Sequence, residues 1–405
     1  MDEIKVKPWY KMTELGVIPE DWNIKTFNES FDFLTTASFS RDQLDNVSET
    51  KCIHYWDIHT KWNYFLDISN SITPWIKYEK AKKYPFLRDW DLIMADASED
   101  YSWICKSVEI KNIKDNKIIS WLHTFLLRWK NNIFENWFKW YIVSNKLVKN
   151  SLDRVATWLK VYWVSKWNLK NIFIPVPKSE EQKLIAQTLS DTDELINSLY
   201  ELIAKKEKLK EWTMQELLTW KRRLPWFDWE WEEKRLDKTF SNITTWKLDA
   251  NAMVKNWKYR FYTCAKVHYY IDNYIFNEEV LLISGNWENV WYVHYYKWKF
   301  NAYQRTYILL WFRDYIFFIK YYLDKYLKDR ILIEAKLGST PYITKDTLTD
   351  MLVKIPTDKN EQKAIAEVLS DMDNEIENLK MKRDKYKKLK EWMMQELLTW
   401  KIRLV

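Results

Sequence analysis

Two stretches of this chain are copies of one another. Glu181–Leu224 aligns with Glu361–Leu404 at a constant offset of 180 without a gap, and 27 of the 44 pairs are identical, including EQK, LSD and the run MQELLTWK. A chain built this way must make one structural element twice. Both copies read as helices. Proline precedes each (Pro175 and Pro177; Pro356), and Glu180, Glu181 and Glu361 fall in the first turn, where the helix dipole favours anions. Leu189, Ile196, Leu199, Ile203, Leu209 and Leu217 form an apolar stripe near heptad spacing, matched in the second copy by Leu369, Ile376, Leu379, Leu389 and Leu397. About 40 residues at 1.5 Å each predict a rod of roughly 60 Å. Such stripes must be covered, so the two rods are expected to pair, antiparallel, through a packing seam.

The segments before the rods echo each other more faintly. DWNIKTF at Asp21 matches EWEEKRL at Glu230, and VSKWNLKNIFIPVP resembles ITKDTLTDMLVKIP before the second rod. Runs such as EVLLIS, VWYVHYY and QRTYILLWF read as strands, with one helix expected around residues 135–150 and another around 313–330. The expected architecture is α+β: a mixed α/β domain at 1–173, a helical region at 174–224, a second domain at 225–355 and a second helical region at 356–405.

Glycine usage is anomalous. The chain has 3 Gly and 27 Trp, together 30 of 405 residues, close to the ordinary glycine share of roughly 7%. Many tryptophans stand where turn chemistry asks for glycine: Trp220 and Trp400 after the rods, Trp90 in RDWD, Trp226 in LPWF, Trp246 in TTWK and Trp291. We read most of them as glycine encoded by a UGA codon; the alternative is a tryptophan-rich protein. Trp22 and Trp231 open the two halves in a shared (D/E)-W-x-x-K pattern and are read as tryptophan.

Nothing in the sequence argues for catalysis. Reading every Trp as possible Gly, there is no GxxxxGK[ST] loop, no (N/D)PP(Y/F) tetrapeptide and no HExxH among the five histidines. The spacing of His54 and His59 is too loose for a metal pair, and the three cysteines are far apart, so neither a metal nor a disulfide is expected. No cofactor is expected. No N-terminal run resembles a signal peptide and no stretch could span a bilayer, so a cytoplasmic location without membrane contact is expected. The net charge of +7 permits nucleic-acid binding. Between Lys247 and Arg313, nine Lys and Arg face five Asp and Glu. Candidate phosphate or base contacts there are Lys247, Lys258, Arg260, Lys266, His268, Asn286, Tyr303, Gln304 and Arg305, and in the first half His54, His59, Lys61, Lys106, His123 and Lys166. For any single one of these, a solvated surface is the plainer reading.

The chain resembles the specificity subunits of type I restriction–modification systems. The motifs carrying the likeness are KMTELGVIPEDW at Lys11, IPVPKSEEQKLIAQTLSDTDELI at Ile174, MQELLTWKRRLPWF at Met214 and NEQKAIAEVLSDMD at Asn360. In that family the rod ends read LLTGK, which supports glycine at positions 220 and 400. The resemblance implies two target-recognition domains, each reading one half of a bipartite site in double-stranded DNA. It implies an antiparallel coiled coil that sets the unread gap between the halves. It also implies two modification (methyltransferase) subunits as partners, restriction subunits joined through them, and no chemistry in the chain itself. Two rival readings are a coiled-coil scaffold without DNA readout and a DNA methyltransferase in its own right.

Overall fold

The computed structural model describes residues 8–404 except 40, 46, 63, 70, 72, 131–132, 159–160, 255–257, 287–289 and 335–342. The chain divides into two compact units, residues 1–198 with 383–405, and residues 199–382. The predicted rods are helices of 39 residues, Ser179–Leu217 and Lys359–Leu397. Each is shared between the units, so each unit holds the start of one rod and the end of the other.

In the first unit a five-stranded sheet runs Phe31–Leu34, Thr124–Trp129, Leu92–Ala95, Ser107–Lys111 and Phe65–Asp67, antiparallel except for the last pair. A three-stranded sheet of Lys117–Ser120, Thr50–Ile53 and Trp75–Ile76 adjoins it. Leu92, Met94, Leu127, Phe138 and Ile142 share a core with Ile185, Ala186 and Leu189 of the first rod and Leu397 and Leu398 of the second. The strand Phe173–Val176 pairs antiparallel with Asn23–Thr26.

The second unit has two four-stranded sheets. One, Phe240–Thr244, Thr306–Phe312, Val280–Ser284 and Val293–Tyr296, is antiparallel; the other is Tyr269–Ile271, Tyr259–Tyr262, Lys299–Ala302 and Phe276–Asn277, with a parallel central pair. Its core joins Phe240, Leu281, Leu309 and Phe318 to Met214 and Leu217 of the first rod and Ile365 and Leu369 of the second. The expected helices are present as Phe138–Val143 with Lys146–Val155, and as Ile316–Glu334.

The rods pair antiparallel as a coiled coil. In the first unit Lys390 meets Asp193 at 2.6 Å; in the second Lys206 meets Glu375 at 2.7 Å and Lys210 meets Asp373 at 2.5 Å. Leu189, Ile196, Leu199, Ile203, Leu217, Leu369, Ile376 and Leu397 are buried and Leu379 is half-buried. Leu209 and Leu389 are a correction: they are 44% and 40% exposed. Counting heptads from Leu189 and Leu369 lands on Lys210 and Lys390, and those lysines turn inward in place of their leucine neighbours.

The EQ dipeptide that opens both repeats builds the same joint twice. In the first unit Glu181 accepts from the Trp22 indole at 2.8 Å and from Arg403, at the end of the other rod, at 2.5 and 2.7 Å. In the second, Glu361 accepts from the Trp231 indole at 3.4 Å and from Arg223 at 3.0 and 2.6 Å. Gln182 donates to the Pro177 carbonyl and accepts from the Glu135 amide; Gln362 donates to Pro356 and accepts from the Tyr315 amide. Glu135 and Tyr315 are also 180 apart, so the duplicated frame reaches well upstream of the readable repeat. Glycine could not make the bonds of Trp22 and Trp231, which fits their reading as tryptophan.

Eleven described non-glycine residues have positive φ, and seven are tryptophan: Trp9, Trp90, Trp137, Trp220, Trp226, Trp311 and Trp400. Trp220 and Trp400 end the rods in the left-handed conformation that normally selects glycine. Trp246 and Trp291 are not among the eleven.

Candidate nucleic-acid interface

In the second unit the fold gathers the candidates into two adjoining groups. Gly285 follows the strand Val280–Ser284, and its amide donates to the Arg305 carbonyl at 2.8 Å. A Cβ at Gly285 would meet that carbonyl oxygen at 2.5 Å, so only glycine permits the approach. Asn286 therefore lies beside the turn Tyr303–Arg305. Leu248 bridges Tyr303 and accepts from the Gln304 amide, which brings the exposed Lys247 to the same edge.

The second group lies on the sheet containing Tyr259–Tyr262. Lys258, Arg260, Tyr270, Asn277, Tyr296 and Lys299 line a groove of about 380 Å³. The Arg260 guanidinium sits 4.6 Å from the centre of the Tyr296 ring and donates to the Tyr262 hydroxyl at 3.4 Å. A planar fork held on an aromatic face suits a phosphate or the guanine edge better than a freely moving lysine does. His268 contacts the Tyr270 hydroxyl at 3.4 Å, and burial with the Arg260 charge holds its pKa below the ordinary value. The Tyr303 amide donates to the Tyr262 carbonyl at 2.8 Å, joining the two groups. Lys266 is exposed in the turn after Tyr262.

The first unit places its candidates less uniformly. His54 caps the helix Tyr55–Thr60, its Nδ1 accepting from the residue-56 amide at 3.1 Å, and it is buried. His59 is also buried, with Nε2 2.9 Å from the Ala97 carbonyl and a pKa lowered mainly by burial. Both serve the fold, which corrects their assignment as DNA contacts. Lys61 is paired with Asp57 at 2.8 Å, and Lys106 donates to the His59 carbonyl at 2.8 Å with its pKa lowered by burial. His123 remains accessible, half exposed, at 3.3 Å from Asp96. Burial raises the Asp96 pKa despite that neighbour. Lys166 opens the helix Lys166–Lys170 and lies 5.6 Å from the Phe33 ring centre. Sequence reasoning missed Tyr270, Asn277 and Tyr296; their strand neighbours Tyr269 and Lys299 gave the only hint, the alternation of aromatic and polar residues.

Among the described residues there is no group of His, Cys, Asp or Glu arranged to hold a metal ion, and no helix long and apolar enough to cross a membrane.

Comparison with known proteins places this geometry. The family described as "Type I restriction modification DNA specificity domain" matches residues 229–385. Across nearly the whole chain there is similarity to the putative type I restriction enzyme MjaX specificity subunit of Methanocaldococcus jannaschii, at 26% identity over 98% of this chain and 97% of that one. The type I restriction enzyme EcoDI specificity subunit of Escherichia coli is 32% identical over 42% of this chain and 37% of its own. In fold, the chain resembles the S subunit of a type I restriction–modification system from M. genitalium, with a TM-score of 0.60 at 14% identity, covering 93% and 96% of the two chains. A structure from work on complex assembly and conformational transition of the type I R-M system aligns with a TM-score of 0.55 at 16% identity, covering 94% and 98%. With sequence likeness running through both halves and the fold shared over most of its length, this chain is similar to the specificity subunits of type I restriction–modification systems.

Proposed function

We propose that the chain is the DNA sequence-recognition subunit of a type I restriction–modification complex. It reads a bipartite site with one recognition domain per half and directs methylation or cleavage by partner subunits. The observation that carries this reading is the contrast inside the duplication. The joint of Glu, Gln, Arg and Trp is the same in both units, while the sheets mounted on it differ in strand number and in the side chains they present. A constant frame carrying two different polar surfaces suits the reading of two different half-sites. Two modification subunits are the expected partners, one for each copy of the frame, with restriction subunits joined through them. The chain itself is non-catalytic in this reading.

The purified chain incubated with S-adenosylmethionine and DNA should transfer no methyl group and cleave nothing. Adding the modification subunit should produce methylation confined to a specific sequence. Methyl transfer by the rigorously purified chain would refute the assignment of roles.

A further inference from the structure

At heptad positions 210 and 390 the rods carry lysine where a seam calls for an apolar side chain. In the first unit Lys390 is only 6% exposed and gives its ammonium to one oxygen of Asp193 at 2.6 Å. The other Asp193 oxygen accepts the Tyr141 hydroxyl at 2.8 Å. The Lys390 ammonium also lies 3.6 Å from the centre of the Tyr64 ring. Tyr64 and Tyr141 belong to the recognition domain, Asp193 to the first rod and Lys390 to the second.

The second unit repeats the lysine, the aspartate and the hydroxyl-donating tyrosine at an offset of 180, though not the Tyr64 ring. Lys210 gives its ammonium to Asp373 at 2.5 Å, and the Tyr321 hydroxyl donates to the other Asp373 oxygen at 2.9 Å. In each node one carboxylate thus ties together two rods and a recognition-domain helix. In the first unit the charged layer lowers stability but rejects other registers, because a slipped rod would leave Lys390 and Asp193 buried without partners; the pair in the second unit is more open, with Asp373 41% exposed. A lysine–aspartate pair alone would serve that purpose. The tyrosine adds something different, since it fixes the domain to the layer.

We propose that the two Tyr–Asp–Lys nodes are positioning devices that hold each recognition domain at a set angle on its rods and thereby keep the unread gap at one length. This rests on the reading of the chain as a DNA-recognition subunit. The test uses the full chain assembled with its modification subunit, and duplexes carrying the native gap or a gap one base pair shorter or longer. Tyr141→Phe and Tyr321→Phe remove one hydroxyl each and keep the packing. Each should lower discrimination against the altered gaps about tenfold, the order of one hydrogen bond to a charged group, while the penalties for wrong bases within the half-sites stay as in the wild type. Lys390→Met combined with Asp193→Asn should do the same. If the tyrosine variants only melt earlier and still reject altered gaps as the wild type does, the proposal is wrong. A wild-type complex that methylates no bipartite site would instead overturn the functional reading itself.

A second inference rests independently on backbone angles. Side chains of L residues avoid positive φ, and the usual exceptions are glycine, asparagine and aspartate. Here seven of eleven such positions hold tryptophan. Trp9 and Trp226 are 81% and 96% exposed, so no packing holds their indoles there. We infer that these seven positions are glycine in the organism, through a UGA codon read as glycine, whereas Trp22 and Trp231 are tryptophan. Peptide mass spectrometry of the protein isolated from its own host should find glycine at 9, 220, 226 and 400 and tryptophan at 22 and 231. Tryptophan at the first four would overturn the inference.

Discussion

Lys139→Met should destabilise the first unit by about 3–5 kcal/mol, the usual cost of leaving one partner of a buried ion pair alone. Lys139 and Glu109 are both fully buried and meet at 2.6 Å. Glu109 also accepts the amides of residues 137 and 140, each at 3.1 Å, so it anchors the start of the helix Phe138–Val143 that carries Tyr141. Burial already raises the Glu109 pKa even with the ammonium beside it. Without that ammonium the carboxyl must either stay charged in an apolar surround or take up a proton. The pH dependence follows from that choice. A carboxyl whose pKa is higher in the folded than in the unfolded state binds an extra proton on folding between those two values, so stability falls as pH rises through that window. The variant should therefore lose less stability at pH 5 than at pH 8. The double variant Glu109→Gln with Lys139→Met should recover part of the loss, because glutamine removes the unpaired charge and keeps an acceptor for one of the two amides. Chemical denaturation of the full chain, following the transition of the first unit, measures all three. A single variant as stable as the wild type at pH 8 would show that the pair does not hold this helix in place.

The rods were legible because two independent signals coincide in them, identity at a fixed offset and an apolar stripe near heptad spacing. Where the seam turns polar, the stripe misled. Leu209 looks a better seam residue than Lys210, and only the Asp373 carboxylate opposite shows why the lysine turns inward. The amides that Glu135 and Tyr315 give to the duplicated joint left no trace in the sequence for a different reason. Glu135 and Tyr315 contribute backbone amides, which every residue except proline possesses, so the side chains were free to diverge. His54 and His59 were unreadable in kind, since a ring that caps a helix and one that could face DNA have the same letter. The second unit was clearer. Its basic and aromatic residues interleave along strands, where residues two apart, such as Arg260 and Tyr262, share a face. Tyr303, Gln304 and Arg305 came together through a turn, with Lys247 brought in by a single bridge from a distant loop.

The central claim, that each recognition domain reads its own half of the site, predicts a separable exchange. Replacing residues 245–350 by the corresponding segment of another family member leaves Arg223, Trp231 and Glu361 in place, along with the paired strands Trp231–Arg235 and Leu352–Pro356. The donor must keep a tyrosine at position 321 so that the node with Asp373 and Lys210 can form. The new surface enters on an unchanged frame, so the effect should be nearly all-or-none: one half of the methylated sequence is replaced, the other half is retained and the gap is preserved. Mapping methylated bases on genomic DNA treated with the chimera and its modification subunit reads all three at once. A chimera that still methylates the original bipartite sequence, or whose two half-sites both change, would contradict the account.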